Sequence, residues 1–136
     1  MNSIFTIHLF TTIFMCGLCW FVQIVHYPLF RAVRIADLPQ YEQKNFVTGY
    51  VTVPIMTVEL ISGIWYLLMF HDTIFIYNIV LLGIIWGSTF IFQVPIHLKI
   101  ARSPTPQLIN KLVTTNWIRT LGWSIRCGLL ADMVLN

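Results

Sequence analysis

Charge is what this sequence has least of: Asp, Glu, Lys and Arg together supply 10% of its 136 residues. Hydrophobic residues supply 57%, and the mean hydropathy is +0.78. A soluble domain of this length cannot hide so much apolar surface, so part of its solvent is expected to be lipid. Low-complexity segments are absent, and nothing marks a second domain. The net charge of +3 is too small and too dispersed for a nucleic-acid footprint. No basic segment precedes the first apolar run, that run is too long for a leader, and no small-x-small cleavage site follows it. It is therefore expected to be a retained helix and not a signal peptide.

What is present is a set of four long apolar stretches, at residues 4–26, 46–70, 74–97 and 108–135. Each has the ~20 residues needed to cross a hydrocarbon core of ~30 Å. Helices satisfy all their own backbone groups in that medium. The expectation is an all-α fold: one four-helix transmembrane bundle over residues 1–136, up-down, with helices at roughly 4–33, 38–70, 73–99 and 106–135. Arg31, Arg34 and Lys44 follow helix 1, and Lys99, Arg102 and Lys111 lie between helices 3 and 4. The N-terminus, the 70–73 turn and the C-terminus carry no Lys or Arg. Positive charge faces the cytoplasm, so both termini are expected on the non-cytoplasmic side of a plasma (inner) membrane. Asp37 with Gln40 resembles a capping box beginning helix 2 near Leu38, Asp72 is placed to cap helix 3, and Thr105 to cap helix 4.

The few polar residues inside these stretches fall at matched depths. Counting from turns near residues 36, 72 and 104, at ~1.5 Å per residue, places Glu59 between Arg119 and Arg126 in depth. The two arginines are seven residues apart, on one helical face with Asn116 and Trp123. Intramembrane charges face the interior and pair there, so Glu59 is expected to serve both arginines. The constellation reads either as an ion lock between helices 2 and 4 or as a catalytic, anion- or proton-handling pocket. In the second reading the surplus positive charge attracts a carboxylate, phenolate or propionate.

A second layer lies in the cytoplasmic half: Gln23, His26, Gln93, His97 and Asn116. Helices 1 and 3 are expected to be diagonal neighbours. His26 and His97 at one depth read as interfacial histidines bonded to Gln23 and Gln93, or as ligands of haem or a divalent metal held between them. Glu59 is a poor third ligand, about 13 residues and roughly 20 Å away. Pro28, Pro54 and Pro95 each free a carbonyl near these layers. Gln23/His26/Pro28 and Gln93/Pro95/His97 hint at a weak repeat of helix pairs.

Cys16 and Cys19 have a C-x-x-C spacing, but no polar group in the sequence flanks them to activate a thiol, so they and Cys127 read as packing residues. Trp65 suits an interfacial belt. Trp20, Trp86 and Trp123 share stripes with the interior polar residues, as core or as the wall of a pocket for a flat ligand. His8 and His71 have no assigned role.

At "QIVHYPLF", "VPIHLKI" and "NWIRTLGWSIR" the chain resembles small four-helix membrane proteins of a largely uncharacterised domain family that includes anthrone-oxygenase-like proteins. The resemblance runs through Pro28, Pro95, Asn116, Trp117 and Arg119. It implies an oxidoreductase or oxygenase-like protein acting on polycyclic phenols without an obvious cofactor. His26, Glu59 and His97 depart from the family pattern.

Two functional classes are therefore expected. One is an oxidoreductase- or oxygenase-like membrane protein binding haem, a metal, a quinone or another flat hydrophobic molecule. The other is a non-catalytic binding or structural protein whose polar interior fixes helix packing. A transporter would need a homodimer, because four helices leave little room for alternating access.

Overall fold

The structure, a computed structural model, describes residues 2–136. Among these residues there are five helices and no strand: α1 Ser3–Ala32, α2 Leu38–Asn45, α3 Val47–Phe70, α4 Thr73–Arg102 and α5 Pro106–Leu135. α1, α3 and α4 are long and apolar enough to cross a membrane. α5, with 30 residues, is as long but carries Lys111, Arg119, Arg126 and Asp132.

The helix ends follow local chemistry. Asn2 caps α1 by accepting from the Ile4 N–H at 2.8 Å. Asp72 caps α4 through the Phe75 N–H at 3.0 Å, and Thr105 caps α5 through the Leu108 N–H at 3.3 Å. α3 stops at His71, which takes a left-handed φ of 51° and returns its N–H to the Leu67 carbonyl. Asp37 departs from expectation. Its side chain caps nothing and instead accepts from Arg34 Nε at 2.6 Å.

The helix expected over 38–70 is divided at Phe46. Asn45 and Gly49, both weak helix formers, flank the break. Phe46 keeps helical dihedrals and its N–H still bonds the Glu42 carbonyl at 3.1 Å, and α2 packs on the Val94–Arg102 end of α4. α1 lies against α3 and α5, α5 also lies against α4, and α3 and α4 touch only sparingly.

The molecule is apolar outside and polar within. Phe10, Leu68 and Ile91 are each about two-thirds exposed, whereas His8, Thr12, Glu42, Glu59, Asn78, Asn116, Thr120 and Arg126 are fully buried. Apolar clusters separate the polar groups: Phe5, Phe75 and Leu130; then Met15, Cys19, Met56, Ile85 and Trp123; then Val22, Tyr27, Phe30, Leu38, Ile96 and Ile100.

Two stretches, Val22–His26 in α1 and Thr89–Gln93 in α4, are π-helical. Each is followed two residues on by a proline, Pro28 or Pro95, whose ring lacks an N–H. The carbonyls each proline leaves unbonded favour the wider turn. Aligned on these turns, His26 matches Gln93, and both face the same cavity. Single π turns of this kind re-aim side chains and recur at functional sites.

Candidate functional site

The polar interior resolves into a closed network and an open one. In the closed network Arg126 Nη1 donates to Glu59 Oε1 at 2.6 Å, and Arg126 Nε to Asn78 Oδ1 at 3.1 Å. Arg126 Nη2 reaches His8 Nε2 at 3.1 Å and Thr12 Oγ1 at 3.4 Å. Since Arg126 can only donate, His8 Nε2 accepts, and its Nδ1–H then donates to the Glu59 carbonyl at 2.9 Å. Glu59 also accepts from Trp123 Nε1 at 3.1 Å and Thr12 Oγ1 at 2.8 Å. Both ionic side chains are 0% exposed. Every charged hydrogen-bonding group in this cluster has a partner, and the neighbouring cavity is not lined by Glu59 or Arg126. The arrangement ties α1, α3, α4 and α5 together and leaves no group free for a ligand.

The open network surrounds a cavity of about 240 Å³. Met15, Leu18, Val22, Val53, Met56 and Val94 give it apolar walls. Arg119, Gln93, His26, Tyr27, His97 and Asn45 give it polar points. Val53, Val94 and Leu98 are also exposed on the outer apolar surface, so the cavity reaches the sparse seam between α3 and α4.

Arg119 is the group that stands out. It is 8% exposed, its Nε has no partner, its hydrogen bond to Asn116 Oδ1 is long at 3.4 Å, and the Tyr27 hydroxyl lies beside its guanidinium. Its guanidinium lies 5.4 Å from the centroid of the Trp123 ring, a contact that attracts a cation without neutralising it. No carboxylate reaches it among the described residues. Glu59 therefore does not serve both arginines as the sequence suggested. Side chains on a helix lean toward its N-terminus. Arg126 leans back to the level of Trp123 and Glu59, whereas Arg119 leans away from Glu59 toward Asn116.

Gln23 and Asn116 act as braces. Asn116 Nδ2 donates to Gln23 Oε1 at 2.9 Å, and Gln23 Nε2 donates to the Val113 carbonyl at 3.0 Å. Gln93 Nε2 is held by Thr115 Oγ1 at 2.9 Å, leaving its buried Oε1 unpartnered.

On the α2 side, His97 Nδ1 donates to Glu42 Oε1 at 2.6 Å, and its Nε2 lies 3.0 Å from the Tyr27 hydroxyl. Asn45 Nδ2 also donates to Glu42 Oε1 at 3.1 Å, so Asn45 Oδ1 accepts from His26 Nε2 at 2.7 Å. The sequence-based bonds from these histidines to Gln23 and Gln93 are not formed; Asn45, Tyr27 and Glu42 take their place. The buried, bridging Glu42 was missed, because a helix expected to run straight from 38 to 70 carries it out of the bundle. His8, Thr12 and Asn78 were missed too. His8, Thr12, Met15 and Cys19 do recur at helical spacing, a signal that was there to read.

The residues do not fit a metal ion or haem. No three His, Cys, Asp or Glu side chains cluster in a ligand set among the described residues. Both ring nitrogens of His97 are engaged, and His26 and His97 each pack on the Tyr27 and Phe30 rings with no porphyrin-sized gap between them. The cavity is also below the ~300 Å³ at which drug-sized ligand pockets begin. The three cysteines are free: Cys16 lies 3.8 Å from Ser124 Oγ, and Cys127 3.8 Å from the Thr12 carbonyl.

Compared with protein-family models, curated proteins and solved structures, the chain matches none.

Proposed function

We propose that the chain is an integral membrane protein of four spanning helices in up-down order, with both termini on the non-cytoplasmic side, that binds a flat hydrophobic molecule bearing an anionic oxygen. α1, α3, α4 and α5 are the spans, and α2 lies across the cytoplasmic mouth. The basic residues of the two loops support that orientation. Arg119 is the anchor for the oxygen, Gln93 and Tyr27 flank it, and the Met and Val walls take the apolar rings. The size of the cavity favours one or two rings, or one end of a longer amphiphile such as a quinone. Entry from the bilayer is through the α3–α4 seam.

One observation carries the reading: a buried guanidinium, aimed into a mostly apolar cavity, with an unpartnered Nε and no carboxylate in contact. A cation left so is unfavourable in an apolar interior unless something neutralises it. The resemblance to proteins thought to act on polycyclic phenols points to the same chemical class. Glu59 and Arg126 belong in this reading to packing and not to catalysis.

The test is titration of the detergent-purified protein with 2-hydroxy-1,4-naphthoquinone, read by tryptophan quenching. Saturable binding is expected, weakened about ten-fold or more by Arg119→Gln, since a charge-assisted hydrogen bond contributes ~1.5–3 kcal/mol. Absence of saturable binding, or equal affinity in the variant, overturns the proposal.

A further inference from the structure

The same cavity contains a second unbalanced charge. Glu42 is fully buried, accepts from His97 and Asn45 at Oε1, and has no Lys or Arg in contact. Its Oε2 has no partner at all. Between Glu42 and the cavity stand His97 and then Tyr27, linked at 2.6 and 3.0 Å. The three side chains come from three elements, α2, α4 and α1, and Tyr27 and His97 line the cavity while Glu42 stands behind them. The Glu59–Arg126 pair is neutral by itself, so the buried positive charge of Arg119 is balanced across the cavity by the buried negative charge of Glu42.

We infer that ligand binding at Arg119 is coupled to the uptake of one proton, stored on Glu42 and carried through Tyr27 and His97. The inference rests on the binding role proposed for Arg119. When an anion pairs with Arg119, Glu42 loses the charge that balanced it. An unbalanced carboxylate in an apolar interior neutralises by protonation. If the ligand enters as its acid, its O–H bond breaks. Its proton passes to the Tyr27 oxygen as the Tyr27 proton moves to His97 Nε2 and the Nδ1 proton of His97 moves to Glu42 Oε1. The sum is ligand acid plus Glu42 carboxylate giving ligand anion plus Glu42 carboxylic acid. Atoms and charge balance with no co-reactant. If the ligand enters as the anion, the proton comes from water on the α2 side.

The groups facing this chain are few. From α1 they are Tyr27, His26 and the buried Cys19 thiol, and from α5 across the cavity Arg119. Asn45 on α2 is not titratable. Arg31, Lys44, Lys99, Arg102 and Lys111 are exposed at the same end and face outward. Tyr27 and His97 are positioning and relay groups in this scheme, and only Glu42 holds the proton at the end.

The experiment is calorimetric titration of the full chain with 2-hydroxy-1,4-naphthoquinone, ionised at neutral pH, in buffers of different ionisation enthalpy. The buffer dependence gives the protons exchanged per ligand bound. Close to one proton taken up is expected for the wild type, and close to none with uncharged 1,4-naphthoquinone. Glu42→Gln should still bind but take up close to none. Glu42→Leu, which removes the proton-holding carboxylate altogether, should likewise take up close to none and serves if Glu42→Gln does not fold. Binding without uptake in the wild type, or unchanged uptake in both variants, overturns the coupling while leaving the Arg119 pocket standing. No binding at all overturns the pocket and the coupling together.

Discussion

Glu59→Gln isolates the closed network from the open one. Gln keeps the volume of Glu59 and one carbonyl oxygen for Trp123 and Thr12, but it removes the negative charge 2.6 Å from Arg126. Arg126 is then a fully buried cation whose only partners are neutral: the Gln amide oxygen, Asn78, His8 and Thr12. Breaking one side of a buried pair costs about 3–5 kcal/mol. For a domain of this size that corresponds to a fall in Tm on the order of 10 °C. The assay is thermal unfolding in detergent, with Asp72→Asn as the reference substitution. Asn caps a helix about as well as Asp, so the reference should move little despite losing the same formal charge. A second arm adds Arg126→Met to Glu59→Gln. With both charges gone no buried ion is stranded, so the double variant should be more stable than the two single losses sum to. A Tm change no larger for Glu59→Gln than for Asp72→Asn, or additive losses in the double variant, would refute the reading of this cluster as an ion lock.

Arg119→Met removes a cation that no carboxylate touches, so it should lower the Tm far less than Arg126→Met, which strands Glu59 at a contact of 2.6 Å; equal losses in thermal unfolding would contradict the division between the two sites. Gly63→Ala places a Cβ 2.7 Å from the His8 ring and 2.6 Å from Ile79 Cδ1, so it should destabilise by about 1–3 kcal/mol through overpacking. Gly17→Ala meets nothing within 4 Å and should be neutral or stabilising by up to ~1 kcal/mol, and the same unfolding scan measures both. Asp37→Asn breaks an Arg34 pair that is largely in water, with side chains 84% and 44% exposed, so its effect should stay under about 1 kcal/mol.

The helices were legible because an apolar run of some twenty residues, bounded in two cases by Asp72 or Thr105-Pro106, has few alternatives. Apolar periodicity, a capping oxygen and a proline at the first helical position all point to the same boundary. The Phe46 break was not legible. Residues 38–45 read as a cytoplasmic extension of helix 2, and nothing in their composition says that the extension turns aside to cover His97. Glu42 lies in that segment, outside the apolar runs, so the one carboxylate behind the cavity was not read as an interior group.

Depth counting worked where side-chain direction did not matter and failed where it did. It put Glu59 between Arg119 and Arg126 on helix 4, and Trp123 in that interval does donate to it; it put His26 and His97 at one depth, and both line one cavity. It could not divide Arg119 from Arg126, which flank that level on one face. Cα–Cβ bonds tilt toward the helix N-terminus, so of two arginines at similar offsets only the C-terminal one leans toward the shared acid. The other is left facing whatever lies a turn earlier, here an asparagine and a cavity. The charge placement that looked in the sequence like two cations sharing one anion is thus one satisfied pair and one cation without a counter-ion. The free cation makes the Arg119 cavity a better candidate for binding than the more crowded cluster around Arg126.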